Sequence, residues 1–204
     1  MKLVKTLFIA LLAMSTTAIQ AQKIKVTKGD LSFLKGQIEV LLEYDYSDMA
    51  VGKFDKEEDY TAKKVAEYNE KNAGTGDEWK EKWEADREGR FHPKFEELLN
   101  NYTEKKANCN FDQTNIKAKY TLIVKTTFTE PGFNIGIVKK DAMINLELKF
   151  VETENTENVL AVMTMEKIPG RGMGNDYDSG YRIQEAYAKG GKALAGYLLK
   201  KAFK

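Results

Sequence analysis

His92 is the only histidine in the 204 residues, so any chemistry that needs imidazole rests on one position. One imidazole excludes multi-histidine metal sites and leaves a Ser-His-Asp or Cys-His arrangement hanging on a single residue. His92 directly precedes Pro93, where a helix would begin, and a local structural role is the simpler reading. Ser47 and Ser179 lack the G-x-S-x-G context of a nucleophile elbow. Acids are plentiful, and Glu39 and Glu43 fall on one face of a strand. A carboxylate pair is the equipment of glycoside hydrolysis, but two acids on a strand read first as a solvated face.

Gly170, Gly172 and Gly174 stand between an apolar run and a long amphipathic one, the place where a glycine loop holds a phosphate at a helix N-terminus. Their spacing is neither G-x-G-x-x-G nor a P-loop, and no Lys-Ser/Thr follows. Asp176 and Asp178 would bring negative charge to the phosphate position. Those carboxylates suit helix capping better, by accepting the free amides of the first turn. As Ca²⁺ ligands they fall short of the roughly six to eight oxygens the ion takes. No cofactor is expected.

Trp79 and Trp83 lie one helical turn apart, with Tyr68, Phe91 and Phe95 nearby in sequence. Such rings could stack on a glycan, and aromatics at helical spacing equally build a core. The segment EPGFNIGIVKKD at 130–141 has Pro131, Gly132 and Gly136 as turn formers, yet carries Phe133, Ile135, Ile137 and Val138. A connector this apolar either packs beneath other elements, the simpler outcome, or is displayed as an edge for another chain. The candidate contacts are therefore Trp79, Trp83, Phe133, Ile135, Asp176 and Asp178.

The elements that must position these residues follow from periodicity. Ile38, Val40, Leu42, Tyr44 and Tyr46 alternate with polar residues in one strand; Tyr120, Leu122, Val124 and Phe128 do so in a second. Ala142, Ile144, Leu146, Leu148 and Phe150 mark a third. Residues 158–166 are apolar on both faces, as in a strand inside the sheet, and 154–158 reads as a hairpin link. A short strand at 23–27 could add an edge. The first strand shows acids on its wet face and the second shows Lys117, Lys119 and Lys125, which suggests that the two are neighbours.

Residues 55–107 change character to a Lys- and Glu-rich helical insertion. Asp55 or Asp59 is placed to cap its first helix and Asp77 its second, Gly89 and Pro93 interrupt it, and Phe95, Leu98, Leu99 and Tyr102 stripe a third. Ile183, Ala186, Tyr187, Gly190, Leu194, Tyr197 and Leu198 form the apolar stripe of a closing helix. Gly190 and Gly191 would let its backbone approach the sheet. The expected fold is an α/β (α+β-like) domain, a mixed sheet of four to five strands covered on one face by the C-terminal helix and the insertion.

The first 21 residues read as a secretory signal peptide, with Lys2 and Lys5, an apolar Leu7–Met14 and small residues before Ala21, Ala18 being a second cleavage position. The apolar stretch is shorter than the roughly 20 residues of a membrane span, and no cysteine lies near enough for lipid attachment. The remaining 22–204 then form one domain. Lys2 and Lys5 leave with the leader, so 30 basic residues face 31 acidic ones and the net charge is −1. A near-neutral surface argues against nucleic acid as a general partner. Cys109, alone, can make no internal disulfide and is expected to be buried or inert, pairing between chains being the lesser alternative.

GDLSFLKGQ at 29–37, EYDYSDMAVGKF at 43–54, KTTFTEPGFNIGIV at 125–138 and DYDSGYRIQEAYAKGGKALAGYL at 176–198 carry a resemblance to uncharacterised exported proteins of the Bacteroides and Flavobacterium lineage. The ending of strand and terminal helix is also similar to envelope domains of the TolB N-terminal type. The first likeness implies export to the periplasm or beyond and transfers no catalytic residue. The second, a likeness of fold, implies an assembly accessory rather than an enzyme. Together these readings favour an exported, non-catalytic binding or envelope-assembly protein whose partner is an envelope protein or a glycan. The alternatives are a glycan-binding module using the aromatic insertion and a carboxylate-dependent hydrolase.

Overall fold

A computed structural model of the chain describes residues 23–171 and 177–204. The segment 1–21 read as a leader, and Gly172, Gly174 and Asp176, lie outside the described residues. In chain order the elements are β1 (Ile24–Gly29), β2 (Glu39–Asp45), β3 (Ala50–Val51), α1 (Glu57–Lys71), α2 (Thr75–Asp86) and α3 (His92–Ala107). There follow β4 (Asn110–Asp112), β5 (Tyr120–Glu130), β6 (Phe133–Asn134), β7 (Lys139–Lys140), β8 (Ala142–Glu152), β9 (Asn155–Gly170) and α4 (Ser179–Lys201).

The fold is the mixed α/β arrangement that the periodicity predicts, on a larger sheet. Seven strands take part, in the order β1-β9-β8-β5-β2-β4, with β3 pairing β5 beyond the end of β2. The strands not foreseen, β3 and β4, are two and three residues long, too short to show a period. From β5 onward the chain meanders through antiparallel pairs, because Thr153 and Glu154 suffice to turn β8 into β9. β2 instead runs parallel to β5 and β4, since the helices come between them and supply the crossover a parallel pair requires. Asp45 lies opposite Lys125 in that pairing, with the ammonium 3.5 Å from the carboxylate, as the charge pattern implied.

The core lies between one face of the sheet and the helical layer. Val40, Leu42, Leu122, Val124, Ile144, Leu146, Leu148, Phe150, Ala161, Met163, Met165 and Ile168 point into it and are all buried. Three details of the periodic reading are corrected. Ile38 is 64% exposed, because it precedes β2 and contributes only its carbonyl, which accepts from the Asn110 amide. A bulge between Thr126 and Phe128 shifts the phase of β5, so Thr129 takes the buried position and Phe128 is only half-buried. β9 continues to Gly170, past the expected end at 166, because a bulge at Glu166 and Lys167 restores Ile168 to the core. Lys167 adopts φ +55° there and donates its amide to Asn145 Oδ1 at 2.7 Å.

The helical layer begins with an acidic first turn, Glu57, Glu58 and Asp59, which suits the positive end of the helix dipole. Neither Asp55 nor Asp59 caps α1; Lys56 occupies the N-cap without a side-chain bond. α2 starts at Thr75, two residues before Asp77, with Gly74 in the left-handed region as its N-cap, and Asp77 accepts from Asn69 Nδ2 instead. Gly89 does not stop the chain: α2 passes through a π-helical turn at Arg87–Phe91 into α3, whose first turn holds Pro93.

α4 covers the sheet with Ile183, Ala186, Tyr187, Leu194 and Leu198, all buried. The close approach that its glycines permit is to α3 rather than to the sheet. A Cβ on Gly191 would meet the Phe95 carbonyl, whereas one on Gly190 would make ordinary contact with Leu146 and Ile168.

Candidate functional site

The polar residues that the fold brings together lie where α3 starts, over β2. Tyr44 in β2 and Tyr46 just past its end are two apart and so share the inward face. The π-turn before α3 sets His92 above them. The Tyr44 and His92 rings stack at 3.7 Å, 6° from parallel, and the Tyr46 hydroxyl is 3.1 Å from His92 Nε2. Arg87 lies over the Tyr46 ring at 4.2 Å and forms an ion pair with Glu57, whose Oε1 also accepts from Trp83 Nε1 at 2.5 Å. Tyr187 of α4 closes the group through a 2.5 Å hydroxyl bond to Thr126 and a parallel stack on Phe91 at 5.1 Å.

Burial governs the electrostatics. It pushes the His92 imidazole down to about 4, with the Arg87 charge as a second cause, so the ring is neutral at physiological pH. It pushes the Tyr44 and Tyr46 phenols well above their ordinary range and Tyr187 up to about 12. His92 Nδ1 is buried with no hydrogen-bond partner among the described residues, a cost that the stack and the Tyr46 bond offset. The imidazole is 7% exposed, and its Nε2 is engaged by the Tyr46 hydroxyl, which it helps to hold in place. The groove of about 270 Å³ between α3 and α4, lined by Lys94, Leu98, Glu185 and Lys189, does not reach it. Nor does the hollow of about 660 Å³ at Ile116–Lys119 and Glu152–Glu154.

Among the described residues two carboxyls are raised by burial, Asp86 and Glu96, and each already has partners. Glu96 accepts from the Tyr44 hydroxyl at 3.1 Å and from Gln113 at 2.8 Å. Asp86 pairs with Arg90 Nε at 3.0 Å. They belong to different hydrogen-bond groups and line neither hollow described above. Glu39 and Glu43 lie in the sheet face away from the helices, half-buried and exposed.

Trp79 and Trp83 are brought together with their rings turned toward protein. Tyr60 and Trp83 are 5.3 Å apart, Trp79 and Trp83 5.7 Å, and Tyr68 and Trp79 5.8 Å, forming a small aromatic core between α1 and α2 in which Trp83 is 7% exposed. Asp178 is the N-cap of α4, its Oδ1 accepting from Gly180 N at 2.8 Å and Tyr181 N at 3.4 Å. Burial, the largest single effect, would raise its carboxyl, but the Arg90 hydrogen bond and charge, the Gly180 amide and the Lys82 charge together outweigh it and hold the group below the usual range. Gly170 has a packing role: a Cβ there would stand 2.0 Å from the Arg182 carbonyl, where α4 crosses the end of β9. Asp176 lies outside the described residues.

Phe133 and Ile135 are placed in the open. The packing expected for this connector is not what the structure has. β6 and β7 form a separate two-stranded ladder beyond the ends of β5 and β8, with Phe133, Ile135, Ile137 and Val138 all exposed, Ile137 to 95%. The reason is its length: Gly132 (φ +64°) turns the chain against the Lys140 carbonyl, and Gly136 (φ +85°) turns it back after two residues of ladder. Nothing so short can fold back over the helices. Lys140 pairs with Glu130 at 2.5 Å and Arg171 with Asp141 at 2.9 Å at its base.

No family model matches the chain, and no curated protein matches it. Among solved structures, it is similar to the PelC dodecamer from Paraburkholderia phytofirmans at 10% identity and a TM-score of 0.36, over 85% of this chain and 97% of that one. A single-substitution variant of the same dodecamer matches at 9% identity and TM-score 0.36, over 84% and 98%.

Proposed function

We propose that this chain is an exported, non-catalytic contact module of the bacterial envelope, an accessory that works by touching a partner through the β6–β7 hairpin. The observation that carries the reading is the hairpin itself, four large apolar side chains held in water at the end of the sheet. Exposed apolar clusters of this kind mark interaction sites. The leader in the sequence and the resemblance to exported proteins supply the compartment. The residues that could have served a hydrolase are tied into the packing: Glu96 to Tyr44 and Gln113, Asp86 to Arg90, His92 to Tyr46. The rings that could have stacked on a glycan contact one another. No described helix is long and apolar enough to cross a membrane.

The test is site-specific photo-crosslinking in intact cells. A benzoylphenylalanine at position 137 should give an envelope adduct, and the same group at position 116, before the opposite end of β5, should not. Equal labelling from both positions, or fractionation of the protein with the cytoplasm, would remove the reading.

A further inference from the structure

Resting on that reading for the compartment, we propose that the β6–β7 hairpin is a shallow lipid anchor: Ile135, Ile137 and Val138 enter the acyl boundary of an anionic bilayer surface, with Lys139 at the headgroups. The first argument is backbone satisfaction. Lipid offers no hydrogen bonds, so each backbone group already paired lowers the cost of bringing a loop into the acyl boundary. At this tip the Ile135 amide donates to the Val138 carbonyl at 3.0 Å, the Ile137 amide to the Ile135 carbonyl at 3.1 Å, and the Gly136 amide to Asn134 Oδ1 at 2.8 Å. Three of the tip's amides are thus paired before the hairpin leaves water, which lowers the cost of a shallow insertion.

Side-chain chemistry gives the second argument. Residues 135–138 are Ile-Gly-Ile-Val, with no side-chain donor or acceptor. The charged residues begin at Lys139, where an inserted hairpin would meet the headgroups. Glu130 and Asp141 at the base are already paired with Lys140 and Arg171, while Lys139 faces no carboxylate within ion-pair distance among the described residues. The balance at the base is positive, which favours anionic lipid.

Area separates lipid from protein as the occupant. Four side chains on a two-pair ladder offer far less than the roughly 800 Å² per partner that a stable protein interface buries. Lipid insertion has no such threshold, because each buried side chain adds to the partition separately.

The experiment is flotation of the purified protein with vesicles of phosphatidylcholine alone or mixed with phosphatidylglycerol. Binding should be stronger to the mixed vesicles and fall with added salt. Ile137→Ser and Ile135→Ser should each lower the partition coefficient about tenfold, from the loss of one buried side chain. Lys139→Gln should lower it about fivefold on the anionic vesicles only. The tip variants should melt at the wild-type temperature, since the side chains are exposed in the free protein. Wild-type protein that stays off both vesicles, or Ser variants that float like wild type, would overturn the proposal. So would self-association that Ile137→Ser abolishes. Should position 137 crosslink to an envelope protein while the vesicles stay bare, the contact reading stands and the lipid assignment falls.

Discussion

A Cβ on Gly191 would stand 2.2 Å from the carbonyl oxygen of Phe95, a backbone atom that cannot step aside. That contact fixes how α3 and α4 cross, and the crossing in turn lowers the His92 end of α3 onto β2.

Gly191→Ala should therefore cost about 1–3 kcal/mol through forced separation of the helices. Gly190→Ala is the control one residue away, where the nearest atoms, from Leu146 and Ile168, lie at 3.4 and 3.6 Å. Helix propensity should dominate there, giving a gain of up to about 1 kcal/mol. Urea unfolding of both variants checks the ranking, and the reverse order would contradict the α3–α4 register.

The His92 imidazole yields a prediction about acid. Its ordinary value is 6.5 and burial brings it to about 4 in the folded protein. Between those values the unfolded chain binds the proton and the folded one does not, so stability is complete above about pH 6.5 and is lost as pH falls toward 4. The loss from this group is on the order of 2–3 kcal/mol. The raised carboxyls of Glu96 and Asp86 oppose it, since groups of that kind favour the folded state in acid. The measurement is thus a difference: His92→Phe keeps a ring on Tyr44 and should lose less stability than wild type between neutral pH and about 4.5. Parallel losses in the two proteins would mean that the imidazole is not sealed.

What periodicity can reach is clear from β8 and the two long bulged strands. β8 keeps an unbroken inward set at Ala142, Ile144, Leu146, Leu148 and Phe150, and all five are buried as read. β5 and β9 change phase at bulges, near Thr127 and at Glu166–Lys167, where no residue type announces the extra residue. The cap at Asp178 was legible because an acid followed by Ser and Gly before an apolar stripe has few other uses. The Tyr44–Tyr46–His92 group was not, for its two halves are 46 residues apart or more and meet only through the crossing of α3 and α4. The displayed course of the hairpin, the less simple of its two readings, was hidden for a different reason. Apolar composition argues for burial, and only the positive-φ glycines show that the segment is too short to reach cover.

Glu57 ties the start of α1 to both Trp83 Nε1 and Arg87. Glu57→Ala should cost about 1–3 kcal/mol, because it leaves an indole N–H and a partly buried guanidinium without their acceptor. It should also shift tryptophan emission to longer wavelength as water reaches Trp83. Unchanged emission with unchanged stability would show that the aromatic core of α1 and α2 does not depend on this carboxylate.

Cys109 gives a probe of the whole fold. It is fully buried between the end of α3 and the start of β4, and burial, with Glu39 as a lesser cause, pushes its thiol up to about 12. Only a thiolate in contact with solvent attacks a disulfide reagent. In native buffer near neutral pH, labelling by such a reagent should therefore wait for an opening of the structure and proceed in proportion to the equilibrium population of the open form. In denaturant it should be complete on mixing. The sheet-edge position of β4 makes local opening the competing route, and the two routes differ in their response to Gly191→Ala. Global opening predicts that the variant labels faster in proportion to its lost stability, roughly tenfold for each 1.4 kcal/mol. Local fraying of β4 predicts the same rate in both proteins, and that result would show β4 to be held independently of the helix crossing.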